Sequence, residues 1–285
     1  MKEVYYKGDK QIVEYNFNSL SEYCEYLTNG VHNGRITSHL SSDAQGSEWS
    51  GTDSYEEAVQ LCLYGDYSDR FNELLKLKDD LDESILEKKK IGKQVVSKVG
   101  YIPHIPNYLI GYPLQMINTE YTEFKNTEYI TIYFNVSQLG TYTKQQFYHK
   151  GVICLSLIEH FESAGYKVIL KLFAASYCKH QTILTYFNLK HENERLDIRN
   201  LFFPMTNVAF LRRMHFRLRE ITEELEGFWS ENYGYSLTSK EIKSLLDTST
   251  TSVVLSYPDE LGISGANLIE DAKNCFKKLG LTDLL

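Results

Sequence analysis

Apolar and polar residues alternate through "KEVYYKGDKQIVEYNF" on either side of Gly8-Asp9, the pattern of a short β-hairpin that turns at the glycine. The period then lengthens. Ser19 or Ser21 is placed to cap a helix through Leu27, with Gly30 as its left-handed stop. "VHNGRITSHLSSDAQGSEWSG" is rich in Gly, Ser and Asn with little periodicity, which predicts a loop and the most mobile stretch of the chain. Ser54 and Glu57 form a capping box before an apolar stripe of Tyr55, Ala58, Val59, Leu61 and Cys62 that stops at Gly65. From Ser68 to about Lys90, Phe71, Leu74, Leu75, Leu77, Leu81, Ile85 and Leu86 approximate one face of a long helix. Pro103, Pro106 and Pro113 then predict an extended, buried connector.

Beyond a boundary expected near Asn118 to Asn126, strand and helix patterns succeed one another. Tyr129 to Val136 reads as a strand, Lys144 to Ala164 as a helix, and Tyr166 to Ser176 and Thr182 to Lys190 as two strands close enough to form an antiparallel hairpin. Helical stretches follow around "DIRNLFF" and "VAFLRRMHFRLREITEELEG", then a helix opened by the Thr238 and Glu241 capping box, a strand in "TSVVLSYP" and a closing helix in "GANLIEDAKNCFKKLG". This order predicts the α/β class, a mainly parallel sheet with helices on both faces. The expected organisation is a helical N-terminal region with hairpin and connector over residues 1–120 and an α/β domain over residues 121–285.

A composition of 42% hydrophobic residues can fill a core, which sets disorder aside. The formal net charge of −8 gives no global field for nucleic acid, so such binding needs a local basic patch. Five scattered cysteines without a C-x-x-C pair point to reduced thiols and a cytoplasmic setting. No apolar run nears the roughly 20 residues of a membrane span, and polar residues follow Met1, so neither a membrane partner nor a signal peptide is expected.

Candidate chemistry is sparse. The turn after the first strand of the α/β region, "NVSQLGTYTK", holds one glycine, too few for a dinucleotide cradle, and no P-loop string occurs. Gly262-Ile263-Ser264-Gly265 misses the nucleophile-elbow spacing by one residue. The eight histidines show no metal-binding spacing, and Glu159, His160 and Glu162 in "IEHFE" read as a solvated helix face. A carboxylate cluster of Asp259, Glu260 and Asp271 would be needed for metal-dependent phosphoester chemistry, and nothing in the spacing compels it. Two basic runs stand out: Lys88, Lys89 and Lys90 with Lys93 and Lys98, and Arg212, Arg213, Arg217 and Arg219 in "FLRRMHFRLRE". Either could contact phosphates, but solvated lysines at a helix end and intrahelical pairing of the arginines with Glu220, Glu223, Glu224 and Glu226 are the simpler accounts.

From Tyr129 onward, the polar turn, the helix ending "LIEHFESAGYKV" and a late strand followed by an Asp-containing loop resemble a von Willebrand factor A domain. The resemblance implies a metal-ion-dependent adhesion site for Mg²⁺, built from a D-x-S-x-S turn, a Thr and an Asp. Asn135 stands at the first Asp position, Ser137 at the first Ser and Leu139 at the second, with Thr206 and Asp259 in the remaining places, so the implied site is vestigial and no cofactor is expected. A wider resemblance rests on "WSGTDSYEEAVQLCLYGD", "GYIPHIPNYLIGYPLQM" and "KGVICLSLIEHFESAGYKVIL", which look like successive blocks of an uncharacterised family encoded by phages and plasmids. It implies origin in a mobile element, with the protein in the host cytoplasm or the virion. The expected function is non-enzymatic binding of a protein partner at the edge formed by residues 135–143 and the Asp259 loop. The alternative is nucleic-acid association in phage replication or packaging.

Overall fold

The computed structural model describes residues 1–31, 42–43, 46–65, 71–72, 75–76, 78–80, 92–100, 102–121, 129–138, 140–225, 233–246 and 251–281. The strands are β1 (Lys2–Lys7), β2 (Lys10–Phe17), β3 (Gly92–Ser97), β4 (Ile102–Pro103), β5 (Met116–Tyr121), β6 (Tyr129–Asn135), β7 (Lys167–Cys178), β8 (Gln181–Lys190), β9 (Tyr235–Ser236) and β10 (Ser252–Leu255). The helices are α1 (Leu20–Asn29), α2 (Ser47–Ser50), α3 (Tyr55–Tyr64), α4 (Ile105–Leu109), α5 (Lys144–Ser163), α6 (Ile198–Thr206), α7 (Phe216–Ile221), α8 (Ser239–Leu245) and α9 (Leu268–Lys278), with a π-helix at Phe210–His215. Residues 71–72, 75–76 and 78–80 are helical too, while Leu74, Leu77, Leu81, Ile85 and Leu86 of the expected long helix lie outside the described residues. No described helix is long and apolar enough to cross a membrane.

The central sheet runs β1-β2-β8-β7-β6-β10, with β9 on β7. Its pairings are mostly parallel along this path: β2 with β8, β6 with β7 and β6 with β10. The antiparallel β7-β8 hairpin appears as the short connection predicted. Because β2 bonds to β8, one sheet draws strands from both sides of the boundary expected near residue 120. Alternation divides its two faces. Val13, Phe134, Leu172 and Ile183 join the larger core with residues of α1, α5, α6 and α9, and Ile12, Tyr133, Phe173 and Leu184 pack with Ile242 and Leu246 at α8 on the other face.

Helix α5 is the centre of the larger core, buried without a break from Phe147 to Ile158. Thr143 and Gln146 cap it reciprocally, as Thr238 and Glu241 cap α8. Gly151 lets α6 approach, since a Cβ there would lie 2.6 Å from Thr206 Cγ2. The acids of "IEHFE" are not merely solvated: Glu159 pairs with Lys78 and Glu162 with buried Lys190, each at 2.6 Å. Ser19 caps α1 as expected, but Gly30 has φ −69° and is no left-handed stop. Glycine is needed there because a side chain would run into Ile221.

A second sheet, β3-β5-β4, stands apart in topology. The stretch predicted as a buried connector forms β4, α4 and the approach to β5, and it is exposed: Val99, Ile105, Tyr108, Leu109, Ile110 and Tyr112 all face solvent. Prolines bar regular pairing here, but the apolar residues between them find no cover among the described residues.

Candidate functional site

The turn that leaves β6 enters a cavity of about 230 Å³ at the carboxyl ends of β6 and β7. Ser137, Gln138 and Gly140 come from the turn, Ser176 from β7, Gly234 and Ser236 from the β9 strand. The opposite wall is helical, with Leu211 and Arg212 from the π-helix, Phe216 and Arg219 from α7, and Trp49 from α2. The π-helix explains part of this convergence. Its wider i→i+5 turn brings Leu211 and Phe216, five residues apart, onto one face.

Arg212 stacks over the Trp49 ring at 4.9 Å and donates to the Trp49 carbonyl oxygen. Arg219 lies over Phe216 at 5.4 Å and donates to the Tyr233 carbonyl oxygen at 2.7 Å. Burial lowers both guanidinium pKa values, that of Arg219 to about 10, which leaves Arg219 charged at neutral pH. Ser236 donates to the Gln138 carbonyl at 3.2 Å. The Gln138 amide nitrogen and oxygen and the hydroxyl of Ser176, a residue only 3% exposed, have no hydrogen-bond partner among the described residues. Tyr233 holds a left-handed φ of 70°, fixed by stacking on Phe216 at 3.8 Å and by its hydroxyl's bond to Glu220 at 2.6 Å.

A family model described as Domain of unknown function (DUF7192) matches residues 3–283. The chain belongs to this family. No curated protein and no solved structure matches it.

Within this DUF7192 fold the residues singled out by sequence separate into three groups. Asn135 and Ser137 do meet at the end of β6, where the Asn135 side-chain oxygen accepts from the Ser137 amide at 2.9 Å. The Ser137 hydroxyl is committed to the Ala175 backbone, donating to its oxygen at 2.9 Å and accepting from its amide at 2.8 Å. Thr206 bonds back to the Phe202 carbonyl within α6, and Asp259 accepts from Tyr142. Leu139 lies outside the described residues. Among the described residues no three His, Cys, Asp or Glu side chains are placed to hold a metal ion. Asp259, Glu260 and Asp271 bond to different partners: Tyr142, the Ser239 and Ser256 hydroxyls, and His149.

The arginines expected on a helix surface point inward. Arg213 is fully buried and donates to the carbonyls of Ser42 at 2.8 Å and Thr52 at 2.7 Å and to the Ser50 hydroxyl at 2.8 Å. It fastens the chain around α2 and presents nothing to a phosphate backbone. Arg217 sits 3.9 Å from both Asp43 and Glu220. Lys88, Lys89 and Lys90 lie outside the described residues.

Two buried polar centres escaped the sequence reasoning. Asp271 accepts from His149 Nδ1 at 2.7 Å and from Ser264 and Gly265 amides at 2.8 Å, so Ser264 and Gly265 of the near-elbow serve a carboxylate. Burial pushes its pKa up, but these bonds outweigh that and hold it below the usual value. Lys150, fully buried on α5, donates to the carbonyls of Asn135 at 2.6 Å and Ser256 at 3.1 Å. Burial lowers its pKa to about 7.

Proposed function

We propose that this chain is a protein of a phage or other mobile genetic element that acts without catalysis, by binding another protein. One observation carries the reading: the exposed apolar surface around α4. Leu109 and Ile110 are 76% and 75% exposed, with Ile105, Tyr108 and Tyr112 beside them. Clustered apolar exposure of this kind marks interaction surfaces. From Val99 to Met116 the sequence has no Asp, Glu, Lys or Arg. That favours an apolar strand or helix face of a different protein as the partner and disfavours nucleic acid, whose affinity needs cations. The mobile-element origin rests on the three sequence blocks, and it places the protein in the host cytoplasm or the virion. The von Willebrand A likeness belongs to the same proposal as a scaffold only, because the Ser137 and Thr206 hydroxyls are already spent on backbone groups.

The test compares wild type with an Ile105→Ser, Leu109→Ser, Ile110→Ser variant of matched thermal stability. A partner recovered by wild type alone is purified and titrated. Its affinity for the variant should fall at least about 30-fold, the scale of one interface hot spot of about 2 kcal/mol. Light scattering on the purified chain separates the rival occupant, since a dimer of wild type that dissociates in the variant would make this surface a contact between copies. A partner bound equally by both forms, with steep loss in salt, would overturn the reading in favour of nucleic acid or a charged surface.

A further inference from the structure

We propose that the cavity at the carboxyl ends of β6 and β7 binds a small organic oxyanion, a carboxylate or a phosphate monoester, on Arg212 and Arg219. This stands apart from the apolar surface and rests on different residues. The cavity's described lining contains two arginines and no Asp or Glu, in a chain of net charge −8. Arg212 makes no ion pair with a described carboxylate and donates once, to Trp49, leaving donors of its planar fork for a ligand. Arg213, one residue away, shows what a purely structural arginine looks like here, with both terminal nitrogens bonded to backbone and hydroxyl oxygens.

The polar groups beside the arginines complete the site. Ser176 is 3% exposed and lines the cavity with a hydroxyl that has no partner among the described residues, and neither atom of the Gln138 amide, which also lines it, has one there. Buried groups of this kind are ordinarily satisfied. A hydroxyl, an amide and two guanidinium groups suit an oxyanion, which accepts from all of them. Trp49, Leu211 and Phe216 supply an apolar wall for the body of the molecule. A volume of about 230 Å³ is below the range of drug-sized pockets, so the ligand is small. The position outside the carboxyl ends of two parallel strands is where open α/β sheets hold ligands.

Trp49 reports directly on occupancy. In a Trp229→Phe background it is the sole tryptophan, and its fluorescence is followed while inorganic phosphate or sodium benzoate is titrated at constant ionic strength, with chloride as control. Saturable change with either probe, absent with chloride, is expected; phosphate alone would assign a phosphoryl group and benzoate alone a carboxylate with an apolar body. Arg212→Gln should weaken binding at least about tenfold, the scale of one charge-assisted hydrogen bond. Should that variant fail to fold, Ser176→Ala, which removes the hydroxyl and adds no bulk, should weaken it about threefold or more. No saturation by either probe at millimolar concentration, or equal affinity in the folded variants, would overturn the proposal.

Discussion

Lys150→Met tests whether a lysine ammonium is held at a cost in the core. Lys150 Nζ is fully buried, 4.6 Å from the Phe134 ring centroid and 5.2 Å from that of Phe147. Its bonds go to two neutral carbonyls, and the thiols of Cys154 and Cys275 that face it are themselves pushed up by burial. Burial therefore dominates, lowering the ammonium from 10.5 to about 7. Below about pH 7 both folded and unfolded chains hold the proton and the full burial cost is present. Between that value and 10.5 the unfolded chain binds a proton that the native chain does not, so stability rises with pH. At about 1.4 kcal/mol per unit, Lys150 should contribute a gain of about 2–3 kcal/mol between about pH 6 and pH 9. Methionine removes this dependence. It should match or exceed wild type at the acid end, where a buried charge is replaced by an apolar chain. At the alkaline end it should fall behind, because the Asn135 and Ser256 carbonyls lose a donor. Urea unfolding of both proteins across this range, read as the difference between them, cancels the cysteine and tyrosine titrations they share. A difference constant to within about 0.5 kcal/mol would refute the reasoning.

Arg213→Met should cost about 3 kcal/mol in urea unfolding, since it strands three buried acceptors, and Arg213→Lys should not restore the loss because an ammonium cannot fork between them. Gly151→Ala gains about 1 kcal/mol of helix propensity but drives a methyl into Met205 and Thr206 of α6, so the net change in thermal unfolding should be a loss of about 1 kcal/mol. Asp271→Asn should lose about 2 kcal/mol at neutral pH. Because the folded carboxyl pKa is depressed, that gap should be full above the unfolded value and close as pH falls through the folded one, which acid titration by circular dichroism would follow.

The β6-α5-β7-β8 run was legible because every signal in it is local. Ile132 and Phe134 alternate with Tyr133 on the opposite, also buried, face, α5 begins at a polar cap, and the β7-β8 link is too short for a crossover. The pairing of β2 with β8 was not legible, since it joins segments about 170 residues apart and leaves no mark on either. The connector misled for a related reason: "IPHIPNYLIGYP" has core composition, and composition records hydrophobicity without saying whether anything covers it. At the arginine cavity the cations were visible and their direction was not. An ordinary helical period places Arg212 and Arg213 among solvated charges, and the π-helix, which no residue in "FLRRMH" announces, turns both inward. Lys150 was hidden by its type, because lysine is almost never fully buried, and only α5 being covered on every side makes it so here.

The carboxyl edge of the sheet combines a sealed half and an open half. Strand ends leave carbonyls with no further ladder partner, and such groups must find donors. At β6 and β10 Lys150 supplies them from within the core, and at β7 Ser137 both donates to and accepts from Ala175. These bonds fix the backbone of residues 135–137 on one side while the Gln138 and Ser176 side chains next to it have no partner among the described residues and sit beside two arginines. The two halves therefore divide tasks, one setting the turn and the other facing the ligand. Since Lys150 does not line the cavity and is more than half neutral above about pH 7, its charge is not needed for an anion there. Lys150→Met should leave the phosphate or benzoate affinity of the cavity within about twofold of wild type at about pH 8, while Arg212→Gln lowers it at least about tenfold. A loss in Lys150→Met as large as that in Arg212→Gln would show that the turn, and not the guanidinium, determines binding at this edge.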